Sequence, residues 1–599
     1  MSDSASPPGA TDSNSPNGPR PVHLELLPPE ILTTILELLL PQPPEVGETK
    51  PVEYEKLVPG EPWYDFTRSC YGLRSLCLVN RRFSTLAFPY LYHTVAILNE
   101  DAMVLLFRTL TERLDYGSWV RYLGIHLTLT SDIVTQETRR ALSHYMPDTR
   151  IRSSRLDPLA PLFFAISIMG MRPHMNVAQG FGDPNFVPEM VVAFLLKLLP
   201  KLEMFLLQVP IYHEHLPYNA LIGRLQNSPT FSELELPLVP KSEELYGGQA
   251  DVFIRRGFDP DFLRTDMPPL HNVHTLLLQG DPEELDLIDV ENPSWAPDVY
   301  GCHAPDYYPL FACIPKLTTL EVSADLGEWE NTEQDEFLMG DEFHPYLSSA
   351  RHIFLHDSCA GPKDLYQILK NAPNLETLYM TPAPSDESRH VEPALQEDPE
   401  SFDAGLKKYG KNLRHLDVGW YEWYGGEGEI GPDGRLSSLP TLNKLEKLCI
   451  QLAVLYGTDP AAALYMPLAD MLPPNIVDLT LEDWWWSSNT TYERMECWMP
   501  TERIQHYQSQ GEYRRTAVRM LEQFASDAKE RLPRLRKVLL LCKIPWTWMM
   551  EEGVDIDFHF QTVRELFEKN GVKFTVEDSS EWIPMESIDD SSCYIWPGR

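Results

Sequence analysis

The chain has 599 residues, 43% of them hydrophobic and 11% aromatic, and a formal charge of −38 at pH 7. That length holds several ordinary domains or one long repeat array, and the apolar content is enough for a buried core. The charge argues against nucleic acid and anionic membrane as partners, because polyanions are repelled and no basic patch with interleaved aromatics is visible along the sequence.

Residues 1–21 are rich in Ser, Pro, Asn and Gly without apolar periodicity, so they are expected to be disordered. They lack the basic start and apolar core of a signal peptide. From Leu24 the chain reads LELLPPEILTTILELLL. Pro28 and Pro29 suit a first helical turn, and Glu30 faces the positive helix end. Ile31, Ile35 and Leu38 or Leu39 then form an apolar stripe. A Pro-rich, acidic insert follows over 41–69. LRSLCLVNRRFSTLAFPYLYHTV from Leu73 predicts a second helix through Leu73, Leu76, Val79, Phe83 and Leu86, stopped by Pro89. Both helices are very apolar for their length. So small a unit has little interior in which to hide such stripes, so part of that surface is expected to meet a partner.

The Leu-Pro-x-Glu-Ile opening, the Leu-Val-Asn-Arg-Arg-Phe centre and the Pro-x-Leu-Tyr ending together resemble an F-box. That three-helix module docks on the Skp-type adaptor of cullin–RING ubiquitin ligases. The resemblance implies an F-box over 22–97 whose adaptor contacts are Leu27, Pro28, Ile31, Ile35, Leu76, Val79, Asn80 and Phe83. The insert departs from the family, which joins its first two helices by a few residues. Closure entropy grows slowly with loop length, so the helices can still meet. The alternative is a protein-binding scaffold whose F-box-like helices are internal and serve no ligase.

Beyond Trp119 one phrase returns: Pro or Asn, then Leu-x-x-Leu-x-Leu. Copies are LPKLEMFLL from Leu199, PPLHNVHTLLL from Pro268, IPKLTTLEV from Ile314, SARHIFL from Ser349 and APNLETLYM from Ala372. Further copies are KNLRHLDV from Lys411, NKLEKLCI from Asn443, PPNIVDLTL from Pro473 and LPRLRKVLL from Leu532, with VRYLGIHL from Val120 as an opening copy. The closing Leu-x-Leu alternates with period two and predicts a short strand with one apolar face. Amphipathic helical stretches precede several copies, among them GPKDLYQILKNA, FDAGLKKYG and TAVRMLEQFASDAKERL. FQTVRELFEKNGVKFTV adds a helix, a stop at Gly571 and a last strand.

Helix, turn and strand in this repetition resemble the irregular leucine-rich repeats that follow the F-box in fungal proteins. The spacing is longer and less even than the regular repeat of about 20–29 residues. The implied fold class is α/β: an N-terminal all-α F-box, then an irregular leucine-rich-repeat solenoid over 98–578, with a parallel sheet and outer helices. An acidic C-terminal tail covers 579–599. Outward-pointing strand residues would line a binding face. On it, Phe354, Tyr379, His415 and Asp417 are expected to touch a target protein, with Trp420 and the Trp484–Trp486 cluster as further aromatic positions.

Nine scattered cysteines without a secretion signal indicate reduced thiols in the cytoplasm or nucleus. Gly426, Gly428 and Gly431 match a dinucleotide fingerprint in form only, since Glu427 and Glu429 fill the loop and Pro432 follows in place of a helix. His352, His356 and Cys359 are spaced like ligands. In a strand, however, positions four apart lie about 13 Å from each other. No catalytic residue, cofactor or metal site is nominated. The expectation is a receptor and not an enzyme: the adaptor, and through it a cullin, on one side and an unknown target on the other.

Overall fold

The computed structural model describes residues 27–40, 61–97, 113–125, 198–208, 270–279, 314–323, 347–358, 360–382, 401–418, 436–456, 465–482, 500–542 and 560–578, with single positions between them. The expected tails (1–21 and 579–599), positions 41–60 of the insert, the Gly426–Gly431 loop, Cys359, Trp420 and the Trp484–Trp486 cluster lie outside the described residues. The chain forms two compact units that divide between Thr94 and Val95.

The first unit has three helices: α1 (Pro29–Leu38), α2 (Glu61–Val79) and α3 (Arg81–Leu91). Pro28 sits in extended backbone and its carbonyl accepts the N–H groups of Ile31 and Leu32, so α1 starts where the Pro-Pro pair predicts. Three expectations need correction. Residues 61–69, read as loop, belong to α2. The helix read as continuous over 73–86 breaks at Asn80, whose extended backbone ends α2 while its Oδ1 accepts the Phe83 N–H at 2.9 Å to cap α3. Pro89 does not stop α3, which runs to Leu91 even though the missing N–H forfeits the bond to the Thr85 carbonyl. Leu36, Leu73 and Ala87 form the centre of the unit, ringed by Leu39, Leu76, Cys77, Leu86, Tyr90 and Leu91. The Arg82 guanidinium donates to the Leu27 carbonyl at 2.8 Å and ties the start of α3 to the residues ahead of α1.

The second unit is α/β. Its strands are β1 (Thr94–Ile97), β2 (Tyr122–Ile125), β3 (Met204–Gln208), β4 (Thr275–Gln279), β5 (Thr319–Ser323) and β6 (His352–Ser358). They continue as β7 (Thr377–Pro382), β8 (His415–Val418), β9 (Lys447–Gln451), β10 (Asp478–Glu482), β11 (Lys537–Cys542) and β12 (Lys573–Asp578). All twelve form one sheet whose order is the order of the chain. The pairings from β2 to β12 are parallel. Every copy of the recurring phrase ends in one of these strands. β1 was grouped with the N-terminal helices in the sequence; its four residues carry too little pattern to be recognised alone.

Register converts the phrase into two apolar rows. Leu276, Leu320, Ile353, Leu378, Leu416, Leu448, Leu479 and Val538 align across the sheet; in the second row Leu278, Val322, Leu355, Met380 and Val418 align, as do Ile450, Leu481 and Leu540. All are buried. Helices α4 (Leu114–Gly117), α5 (Pro362–Asn371), α6 (Phe402–Tyr409), α7 (Leu452–Tyr456), α8 (Leu468–Met471), α9 (Pro500–Arg531) and α10 (Gln561–Lys569) fall between strands. At the C-terminal end they cover the same rows: Phe567 of α10 stacks on Phe574 of β12 at 5.2 Å, and Phe524 of α9 meets Phe567 edge-on at 5.6 Å. Gly571, with φ 77°, ends α10 as the sequence predicts, and the Val572 N–H returns to the Phe567 carbonyl at 3.0 Å. At Gly405 a Cβ would press on Tyr366 and Leu369 at 3.1–3.2 Å, so glycine suits the close approach of α5 and α6.

The polar residue of the phrase has its own task. Asn272, Asn374, Asn412 and Asn475 each donate a side-chain N–H to a carbonyl in the preceding repeat, that of Pro200, Ser348, Pro373 and Asn443. These carbonyls lie ahead of the strand ladder and would otherwise lack a repeat-to-repeat bond. Leu416→Ala is expected to destabilise the chain by about 3 kcal/mol through the cavity it leaves, and Asn475→Ala by about 1 kcal/mol. Urea unfolding midpoints of the two variants against the parent check both values, and equal losses would contradict the assignment of one to core and the other to a single hydrogen bond.

Candidate functional site

Two surfaces merit attention, one on each unit. Helix α1 is apolar on two sides. Leu32 and Leu36 turn inward, while Ile31 is exposed and Leu38 is 80% exposed. The end of α2 adds Leu78, 79% exposed, and Val79. Among the described residues the large exposed apolar side chains are Ile31, Leu38, Tyr71, Leu78, Val79, Leu105, Leu114, Tyr465 and Met466, and the first five belong to the three-helix unit. A single helix face cannot bury Leu76, Leu78 and Val79 together, which is the signal in the sequence that some must point outward.

The expected adaptor positions divide accordingly. Pro28, Ile31 and Val79 are exposed, and Leu27, Ile35, Leu76 and Asn80 are half-buried. Phe83, only 4% exposed, is a core residue and not a surface contact. Leu76 leans on the Leu36–Leu73–Ala87 centre, and the Asn80 side chain is engaged in capping α3. These three shape the unit. Leu78, absent from the expected set, lies on its outside. Burial raises the thiol pKa of Cys70 to about 11 and raises that of Cys77, so neither is an activated nucleophile.

On the sheet, the first, third and fifth strand positions face away from the two apolar rows. Over β3 to β7 this face is closed. Leu206, Leu277, Glu321, Phe354 and Tyr379 occupy the third position, and Gln279, Ser323 and His356 the fifth; all are buried. The Phe354 and Tyr379 rings lie 6.2 Å apart, His356 is 5.4 Å from Tyr379, and His356 Nε2 is 3.5 Å from Glu321 Oε1. Phe354 and Tyr379 are therefore not the open aromatic anchors the sequence led us to expect. They are large neighbours on adjacent strands and they cover each other.

Over β8 to β12 the first position opens, while Cys449, Gln451 and Glu482 at the third and fifth positions of β9 and β10 stay buried. His415 and Asp417 are half-buried, and Lys447, Lys537 and Lys573 are exposed. His415 aligns with Lys447 on β9, and Asp417 with Cys449. The His415 pKa falls to about 4, chiefly because burial disfavours the cation; the neighbouring Lys447 charge adds to the shift and Asp478 opposes it. Asp417 stands between Tyr379 and Cys449 in register.

Among the described residues no group of three or more His, Cys, Asp or Glu gathers as metal ligands, and no helix is long and apolar enough to cross a membrane. No protein-family model matches the chain, and a search of curated proteins finds no match.

The His415 shift has a signed consequence. Its folded pKa lies below the ordinary histidine value of about 6.5, so between these values the unfolded chain takes up a proton that the folded chain refuses. Its contribution to stability is therefore intact above pH of about 6.5 and lost as pH falls toward the folded value. Compared with His415→Asn, the parent chain should lose stability more steeply across that interval in denaturant titrations at successive pH values. Parallel profiles would contradict the shift.

Proposed function

We propose that this chain is the substrate receptor of a cullin–RING ubiquitin ligase. In this reading the three-helix unit is an F-box that docks on a Skp-type adaptor, and the stacked sheet is an irregular leucine-rich-repeat domain that holds a target protein. The observation that carries the proposal is the outward set Ile31, Leu38, Leu78 and Val79 on a unit that already has its own Leu36–Leu73–Ala87 core. Exposed apolar side chains of this density are costly in water unless a partner covers them. The sequence resemblance names the partner, and the same helices carry it.

The adaptor contacts would be Leu27, Pro28, Ile31, Ile35, Leu38, Leu78 and Val79, with Leu76, Asn80 and Phe83 fixing the helices that present them. Ubiquitin transfer would belong to the assembled ligase. This chain would contribute placement, since holding a target in one orientation near the reactive centre raises the effective concentration of its lysines. A sheet in which each interior strand bonds to both neighbours suits that task. The scaffold alternative, with the helices used internally, is less well supported because the outward residues are not enclosed.

Ile31→Asp combined with Leu78→Asp should abolish co-purification of the adaptor while leaving the circular dichroism spectrum and melting temperature unchanged, both residues being outside the core. Undiminished adaptor recovery with the double variant would refute the docking surface.

A further inference from the structure

The leading ends of the strands carry charge, and it is distributed unevenly. Toward the start of the sheet and through its middle, opposite charges meet: Arg121 with Glu203 at 2.9 Å, Arg351 with Glu376 at 3.4 Å and Arg414 with Glu376 at 3.7 Å. At the last four strands Arg534 still pairs with Glu446 at 3.3 Å, but the first strand positions carry an excess of cations. Lys447, Lys537 and Lys573 stand in register at the first position of β9, β11 and β12, with Asp478 alone between the first two. Arg536 immediately precedes Lys537. All four cations are exposed, and among the described residues none lies within ion-pair distance of a carboxylate. Lys537 faces Lys573 directly across two bonded strands. Like charges so placed repel, so this arrangement costs stability in a chain with ample carboxylates to neutralise it.

We propose that this row docks an acidic segment of the target protein, a short run of Asp and Glu laid across β9 to β12. The inference rests on the sheet being the target-holding part of the receptor. The occupant follows from the distribution of charge. Strand spacing of about 4.8 Å spreads the row over about 14 Å, which matches about four residues of extended chain and exceeds the reach of one phosphate. Three of the four cations are lysines, point charges that suit separate carboxylates, whereas the arginine fork favours bidentate phosphate recognition. The net charge of −38 repels a long polyanion such as RNA. A short acidic run placed on the row stays close to the local cations, with more distant charge screened beyond about 10 Å. His415, aligned with Lys447, borders the row and stays neutral near pH 7, so it offers hydrogen bonding without adding charge.

The test uses the full chain, a fluorescein-labelled oligoglutamate peptide and fluorescence anisotropy at an ionic strength of about 0.1 M. The reversal variant carries Lys537→Glu and Lys573→Glu. A control variant with the same change in net charge carries Lys201→Glu and Lys316→Glu, two exposed lysines that precede β3 and β5. Parent and control should bind oligoglutamate equally, with affinity falling as salt is added, and the reversal variant should bind about tenfold more weakly. Absence of binding by the parent, or equal loss in the control, would overturn the proposal. So would tighter binding of a neutral peptide bearing one phosphoserine, or of an oligouridylate, than of oligoglutamate. Adaptor co-purification of the reversal variant is an independent readout: it should match the parent. Failure of the Ile31→Asp and Leu78→Asp test would strike the docking reading and leave the row's affinity for acidic peptide to be judged on its own data.

Discussion

The structure of the second unit depends on one constraint: each parallel strand must find its neighbour in a register that keeps two apolar rows continuous. A single repeat buries almost nothing by itself. Stacked, each row residue is enclosed by the strands on either side and by the covering helices, and a leucine buried in this way contributes about 1.5–3 kcal/mol. A slip of one residue would turn every row side chain to the opposite face. The asparagines ahead of the strands guard against this, because Asn272, Asn374, Asn412 and Asn475 each bond to one particular carbonyl of the preceding repeat. The same constraint sets where function can sit, since only the first, third and fifth positions escape the rows.

The repeating part of the fold was legible because its signal is local and recurs. Leu-x-x-Leu-x-Leu marks a turn and a strand wherever it occurs, and the stop at Gly571 follows from the residue itself. The helices before β7, β8 and β11 could be read from their amphipathic spacing. What failed was information that depends on neighbours. Asn80 looked like one more polar residue in a helix, yet its side chain makes a better cap than it does a helical position. Phe354 and Tyr379 looked like open anchors because the sequence cannot show that adjacent strands bring them side by side.

Charge gives the clearest case. Lys447, Lys537 and Lys573 are far apart in an acidic chain, and the basic stretch Lys529–Lys537 contains only one of them. The sheet places them at one edge over four strands. A stacked architecture can thus gather a minority charge from distant segments of sequence. In the proposed reading the two units use different physics for recognition: apolar exposure on the three-helix unit and, across the last strands, electrostatics against a negative background.

In the proposed assembly, helix α1 and the end of α2 present a face that another subunit covers. Hydrogen–deuterium exchange of the full chain, with and without purified Skp-type adaptor, tests it most directly. Exchange should slow in α1 and the last turn of α2 when the adaptor is added, with the amides of β2 to β12 unchanged. Exchange that stays the same in those two helices, or slows only within the sheet, would contradict it.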